Sequence, residues 1–230
     1  MEYMLKADDL VGVTFWIISV AMIASTAFFF LESNSVARQW QTSVRVAGLV
    51  TLIAAVHYYY MRSVWIGTGE NPNVYRYIDW LLTVPLQMIE FYLILAAVGA
   101  ATAGMFWRLL IGTLVMLIAG YLGESGAINS TMGFIVGMAG WIYILYEVFA
   151  GEAAQANASS NSKAQQSAYN AMKWIVSIGW SIYPIGYFLG YLAGGRDEAS
   201  LNAIYNVADI INKIAFGLVI WAAAKSDSKA

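Results

Sequence analysis

The chain has 230 residues, of which 60% are hydrophobic and 11% charged, against about 25% charged in an ordinary soluble domain; with a mean hydropathy of +0.62 it reads as a membrane protein. A formal net charge of −2 and scattered basic residues speak against nucleic acid or anionic lipid as a charge-recognised partner. No cysteine is present, which removes disulfides, thiolate metal sites and thiol nucleophiles, and the single histidine, His57, cannot build a histidine metal cluster.

Residues 1 to 9, MEYMLKADD, lack the basic head of a secretory signal and end in two aspartates, so the first apolar run, Leu10 to Leu31, is expected to be retained as a span. Six more runs follow: Gln41 to Met61, Val74 to Val98, Phe106 to Leu122, Thr131 to Phe149, Ala168 to Leu192 and Leu201 to Ala224. A helix of roughly 17 to 25 residues crosses a hydrocarbon core about 30 Å thick. The expected fold is an all-α, seven-transmembrane bundle, one domain over residues 1–230, with termini on opposite sides.

Turn chemistry marks the connectors Glu32 to Ser35, Gly67 to Asn73, Gly99 to Gly104, Gly123 to Ser130 and Gly194-Gly195-Arg196-Asp197. The longer connector, Ala150 to Ser167, is rich in Ala, Gln, Asn and Ser and is either a polar linker or a solvated extension of its flanking helices. Arg38, Arg45, Arg108, Lys163, Lys173, Lys225 and Lys229 fall on one side, and Lys6, Arg62, Arg76 and Arg196 on the other. The positive-inside rule makes the first group cytoplasmic and the amino terminus external. Gly133-x-x-x-Gly137 and Gly186-x-x-x-Gly190 are expected to be helix-packing faces. The sequons at Asn129 and Asn157 are chance matches to a short pattern.

Ionisable residues inside the spans carry the functional signal. On the third span, Asp79 and Glu90 differ by about 20° in azimuth and roughly 16 Å in depth, with Thr83 and Gln87 between them and Arg76 one turn outward of Asp79. On the seventh, Asp209 and Lys213 are i,i+4 neighbours, the lysine about 6 Å deeper and at a level between Asp79 and Glu90. A lysine centred in a span costs roughly 3 kcal/mol even on lenient insertion scales, which asks for a function. Arg76 and a cation at Lys213 balance ionised Asp79 and Asp209, whereas Glu90 has no such partner and is expected to rest as the neutral acid. The pattern is that of a proton relay, with Asp79 as acceptor and Glu90 as donor. His57, on the second span, either hydrogen-bonds Asp79 or is a satisfied structural residue.

Lysine differs from arginine here in that its neutral amine attacks an aldehyde to form a Schiff base. Trp80, Trp141, Trp180 and Tyr183 could wall a flat apolar ligand beside Pro184, which interrupts the sixth helix; ordinary aromatic packing is the alternative.

In order and spacing, Arg76-Tyr77-Ile78-Asp79-Trp80-Leu81-Leu82-Thr83-Val84-Pro85, Glu90, Trp180-x-x-Tyr183-Pro184 and Asp209-x-x-x-Lys213 resemble the microbial rhodopsins, within them the proteorhodopsin group, over essentially the whole chain. The resemblance implies all-trans retinal bound to Lys213 as a protonated Schiff base, Asp79 as principal counterion and proton acceptor, Asp209 completing the counterion and Arg76 organising it. It further implies Glu90 as the cytoplasmic-side donor, His57 as the partner of Asp79, and a retinal pocket formed by the residues around Trp80, Thr83, Trp141, Trp180, Tyr183 and Pro184. Glutamine at position 87 is similar to the blue-absorbing type, although the same side chain could simply bond the helix backbone. His57 and Trp16 resemble a pair that meets between subunits of a pentamer or hexamer; a lipid-facing or packing role for Trp16 is the simpler reading.

The function implied is a light-driven outward proton pump in the bacterial inner membrane, a transporter and not an enzyme. A slow-cycling photosensory rhodopsin and a retinal-free transporter are the alternatives. The first would not need Glu90, and the second commonly shows internal repeats or broken helices, which are not evident in the sequence. The chain departs from the archaeal pumps in having Asp197 and Glu198 in a connector instead of a clear pair of outer glutamates, which leaves the proton-release group open.

Overall fold

The computed structural model describes residues 4–195 and 198–228. Residues 1–3 of the amino-terminal segment, Arg196 and Asp197 of the last connector, and Lys229 and Ala230 lie outside the described residues. Among the described residues every regular element is helical. Seven rods are long and apolar enough to cross a membrane: α1 (Leu10–Ser35), α2 (Arg38–Thr68), α3 (Asn73–Ala96), α4 (Ala103–Glu124), α5 (Ser130–Ala158), α6 (Lys163–Leu192) and α7 (Glu198–Asp227).

Side-chain caps satisfy the free amides at several helix starts. Asp9 accepts from Gly12 N at 2.9 Å, Asn129 from Thr131 N at 2.9 Å, and Ser162 from Gln165 N at 3.1 Å. At the far end of α2, Gly69 adopts φ 70° and its amide bonds Trp65 O, a left-handed cap that a side chain would strain. Polar links tie the ends together. At the face where α1 begins, Asp9 accepts from Trp65 Nε1 at 3.1 Å, Asn73 Nδ2 donates to Glu124 at 2.7 Å, and Asn202 Nδ2 donates to Asn71 at 3.0 Å. At the opposite face, Asp227 accepts from Trp40 Nε1 at 2.8 Å and Glu32 from Trp221 Nε1 at 2.9 Å.

Several boundaries differ from the hydropathy reading. The second span was expected to end at Met61 but runs to Thr68, because a helix end can leave the apolar layer while Arg62 stacks on Trp16, 4.9 Å from its ring. The Ala150 to Ser167 stretch is mostly helical extension: after a break near Gly151, α5 resumes over Glu152–Ala158, and α6 already begins at Lys163. That corner is held by Arg108, whose guanidinium binds Glu147 at 3.0 Å and also Glu152. Glu198, expected in a connector, is the first residue of α7.

Both glycine pairs are packing faces. A Cβ at Gly133 would lie 2.7 Å from Gly123 Cα and one at Gly137 3.3 Å from Met116 O, and the neighbouring Gly140 is tighter still at 2.8 Å from Met116 N, so α5 approaches α4 this closely only without side chains there. Gly186 is filled by the Tyr205 hydroxyl of α7, and Gly190 faces Leu201. The bundle is inside-out relative to a soluble protein. Ile17, Val20, Ile23, Ile111, Ile135 and Ile211 are exposed, whereas Arg76, Asp79, Glu90, Asp209 and Lys213 are buried.

Candidate functional site

The site is built from α3 and α7, the helices that carry the buried charges. In α7 the regular winding gives way to a π segment at Ile210–Ala215, with Lys213 inside it. Such one-turn widenings recur at functional sites because they re-aim a side chain and loosen the backbone ladder. Lys213 Nζ lies 2.5 Å from Asp79 Oδ2 and 2.6 Å from Asp209 Oδ2. A cation thus joins two carboxylates from different helices, all three side chains being at most 2% exposed. Without these partners its burial would be untenable.

The two carboxylates are not equivalent. Asp209 also accepts from Tyr58 OH at 2.5 Å, from Trp80 Nε1 at 3.3 Å and from the Tyr183 hydroxyl. Asp79 has only Lys213 on Oδ2, and its Oδ1 finds no hydrogen-bond partner among the described residues. Donors stabilise an anion, so Asp209 is the more firmly held carboxylate and Asp79 the less. Thr83, between Asp79 and Gln87, donates to the Asp79 backbone carbonyl at 2.9 Å; it is buried but does not border the cavity, contrary to the expectation that it would touch a ligand.

Arg76 makes no ion pair with either aspartate among the described residues. Its Nη1 donates to Tyr58 OH at 2.7 Å, and its Nη2 donates to Asn202 at 2.8 Å and Asn206 at 2.9 Å. Tyr58 then passes a hydrogen bond to Asp209, so Arg76 reaches the counter-charge through one phenol. Tyr58, Asn202 and Asn206 were not singled out from the sequence. Asn202, Asn206, Asp209 and Lys213 nevertheless recur at spacings of four, three and four, one face of the seventh helix, and that periodicity was a usable signal.

His57 Nδ1 lies 2.9 Å from Ile53 O and 3.9 Å from Asp79 Oδ1. A carbonyl only accepts, so Nδ1 carries the hydrogen and is spent on its own helix. The direct hydrogen bond to Asp79 is therefore not formed, though the ring stands beside that carboxyl. Trp16 is 43% exposed on the outside of α1, its ring against Arg62 and 6.5 Å from that of Tyr59. Glu90 is 1% exposed, and neither carboxyl oxygen has a hydrogen-bond partner among the described residues. No cation stands within ion-pair distance of it among the described residues.

Lys213 opens onto a cavity enclosing about 850 Å³ of space, mouth included, between α3, α4, α5, α6 and α7. Trp80, Trp141, Trp180, Tyr183, Pro184 and Gln87 all border it. Trp80 and Tyr183 pack edge to face at 5.0 Å, and Trp141 Nε1 is fixed by Val176 O at 3.0 Å, so the aromatic walls are rigidly placed. Gln87 Nε2 donates to Asn212 O at 2.9 Å, bonding the π segment itself. An apolar slot with one amine and two carboxylates at one side fits a long hydrophobic aldehyde joined to Lys213.

A sequence profile described as "Bacteriorhodopsin-like protein" matches residues 9–226. Among known proteins, the blue-light absorbing proteorhodopsin of Gamma-proteobacterium Hot 75m4 is 54% identical over 226 residues, 97% of this chain and 90% of that one. The green-light absorbing proteorhodopsin of Gamma-proteobacterium EBAC31A08 is 53% identical over 225 residues, again 97% and 90%. Among solved structures, blue light-absorbing proteorhodopsin from Med12 superposes with a TM-score of 0.83 at 54% identity, covering 95% of this chain and 100% of that one. Exiguobacterium sibiricum rhodopsin gives 0.85 at 35% identity, covering 95% and 97%. Such similarity across nearly the whole length identifies the chain as a member of the bacteriorhodopsin-like family, the microbial rhodopsins.

Proposed function

We propose that the chain is a light-driven outward proton pump that carries all-trans retinal on Lys213, and that it is a multi-pass protein of the bacterial inner membrane. The observation that carries this reading is the asymmetry around Lys213 Nζ: a loosely held carboxylate, Asp79, at 2.5 Å, a heavily bonded one, Asp209, at 2.6 Å, and an unpaired buried carboxyl, Glu90, deeper on α3. Retinal, joined to Lys213, supplies light absorption and a light-driven change of shape beside that nitrogen. The chain's own residues then move the proton. Asp79 accepts it from the Lys213 nitrogen, Asp209 remains the anion held by Tyr58, Trp80 and Tyr183, and Glu90 returns a proton from the opposite side. Trp80, Trp141, Trp180, Tyr183 and Pro184 hold the cofactor and exclude water.

The distribution of Lys and Arg supports an external amino terminus and a cytoplasmic carboxy terminus, so transfer from Lys213 to Asp79 is directed outward. Residues 1–230 act as one seven-helix domain. Gln87 supports the blue-absorbing type: relatives of both colours are almost equally similar, at 54% and 53%, so overall likeness does not choose between them. An amide dipole beside the chromophore is a local cause for such a shift. The exposed Trp16 on the outside of α1 supports assembly into a homo-oligomer, a pentamer or hexamer, with His57 as its counterpart across the subunit boundary.

The test is to add all-trans retinal to the expressed protein and to follow the visible band and the light-induced external pH, with a protonophore control. Acidification is expected, and Asp79→Asn should abolish it while shifting the colour. Failure to form a visible band would overturn the cofactor assignment, and colour without acidification would overturn export.

A further inference from the structure

A half-buried carboxyl, Glu124, takes no part in that relay. Glu124 closes α4, and it borders the same cavity as Lys213 and Asp209. It also borders a second cavity at the face where α1 begins, together with Asn71, Asn73, Ser130 and Tyr191, the rim being formed by exposed Gly126 and Glu198. Neither Asp79 nor Asp209 borders this second cavity, and they are 0% and 1% exposed, so neither can give a proton to outside water directly. Glu124 is the carboxyl shared by the two spaces.

Its surroundings are those of a group that changes charge. Glu124 Oε1 accepts from Asn73 Nδ2 at 2.7 Å and from the Tyr191 hydroxyl, while the Tyr77 hydroxyl lies alongside. Arg76 is within electrostatic reach. Tyr187 and Tyr205 complete the inner side, and Glu198 stands at the outer rim. These donors come from α3 and α6, so hydrogen bonds, not a salt bridge, hold the carboxyl in place. Asp9, another carboxylate at this face, is instead spent on Gly12 N and Trp65 Nε1.

Resting on the export reading above, we propose that Glu124 is the exit group of the relay: its carboxylate takes the proton arriving from the Asp79 and Arg76 side, and the new O–H bond then breaks toward water in the second cavity. One O–H bond forms as another breaks at each step, and no further reactant is needed. The same carboxyl separates the ligand cavity from outside water, so the exit can pass a proton without flooding the interior.

The test uses the complete retinal-loaded protein in membranes. After a flash, a pH-indicating dye outside reports proton appearance, and infrared difference spectra report carboxyl protonation. In Glu124→Gln, proton appearance should lag protonation of Asp79 by about tenfold or more beyond the unsubstituted protein, with loss of one carboxyl band. Glu124→Asp should restore both. An unchanged lag in Glu124→Gln would overturn the assignment. Should Glu124→Gln form no pigment, Tyr191→Phe decides: a shifted carboxyl band with altered release timing supports the exit role, and unaltered timing overturns it. Failure of the export reading itself is distinguishable, because the unsubstituted protein would then release no proton at all.

Discussion

The unequal bonding of the two aspartates yields a quantitative prediction about stability. Asp79→Ala removes one buried partner of Lys213, a loss of about 3–5 kcal/mol, and it also deletes an Oδ1 that had no donor. Asp209→Ala removes the other partner and in addition strands Tyr58 OH, Trp80 Nε1 and the Tyr183 hydroxyl. Three hydrogen bonds to a charged acceptor at about 1.5–3 kcal/mol each sum to roughly 4–9 kcal/mol. Repacking, entering water and the alternative partner of Tyr183, Asn212 Nδ2 at 3.1 Å, reduce that figure. The expected excess cost of Asp209→Ala over Asp79→Ala is at least about 3 kcal/mol, with Asp209→Asn between them because one acceptor oxygen survives. Unfolding of the retinal-free chain in mixed micelles of increasing denaturing detergent, followed by circular dichroism, measures it. Equal losses, or a greater loss for Asp79→Ala, would refute the division into a fixed counter-charge and a loosely held acceptor.

Glu90→Gln should leave the first proton transfer intact and slow return to the resting pigment by about a hundredfold; flash photolysis checks this, and normal recovery removes the donor role. Gln87→Leu should move the visible band to longer wavelength and destabilise the chain by about 1 kcal/mol through loss of its hydrogen bond to Asn212 O, both readable on one purified sample. Gly140→Val should cost about 1–3 kcal/mol or more by overpacking, because its Cβ would meet the rigid Met116 backbone at 2.8 Å; thermal unfolding in detergent measures the loss.

The bundle was legible because lipid demands long apolar runs, and all seven coincide with helices in the structure. Helix ends were less legible. Beyond the apolar layer a helix continues on caps and aromatic stacking, as α2 does past Met61, and hydropathy carries no record of that. At the site, Lys213, Asp79, Asp209 and Glu90 stood out because charge in a span is rare. What sequence could not supply was partnership across helices. Tyr58 looked like one of three consecutive tyrosines, yet it bridges Arg76 and Asp209. His57 suggested a bond to Asp79, but a carbonyl one turn back, Ile53 O, accepts the hydrogen bond from its Nδ1 instead. Glu124 was invisible for a different reason: it lies at a helix end, where a glutamate is ordinarily solvated, and only the packing of Asn73 and Tyr191 encloses it.

The hydrogen bond from Gln87 to Asn212 O has a consequence for how such proteins diversify. It makes the residue expected to set colour a mechanical strut for the segment that bears the lysine. Any change at position 87 that removes the amide therefore alters the support of the segment that anchors Lys213. Spectral tuning and cycle speed would be inherited together unless a second substitution near the π segment restores the lost support.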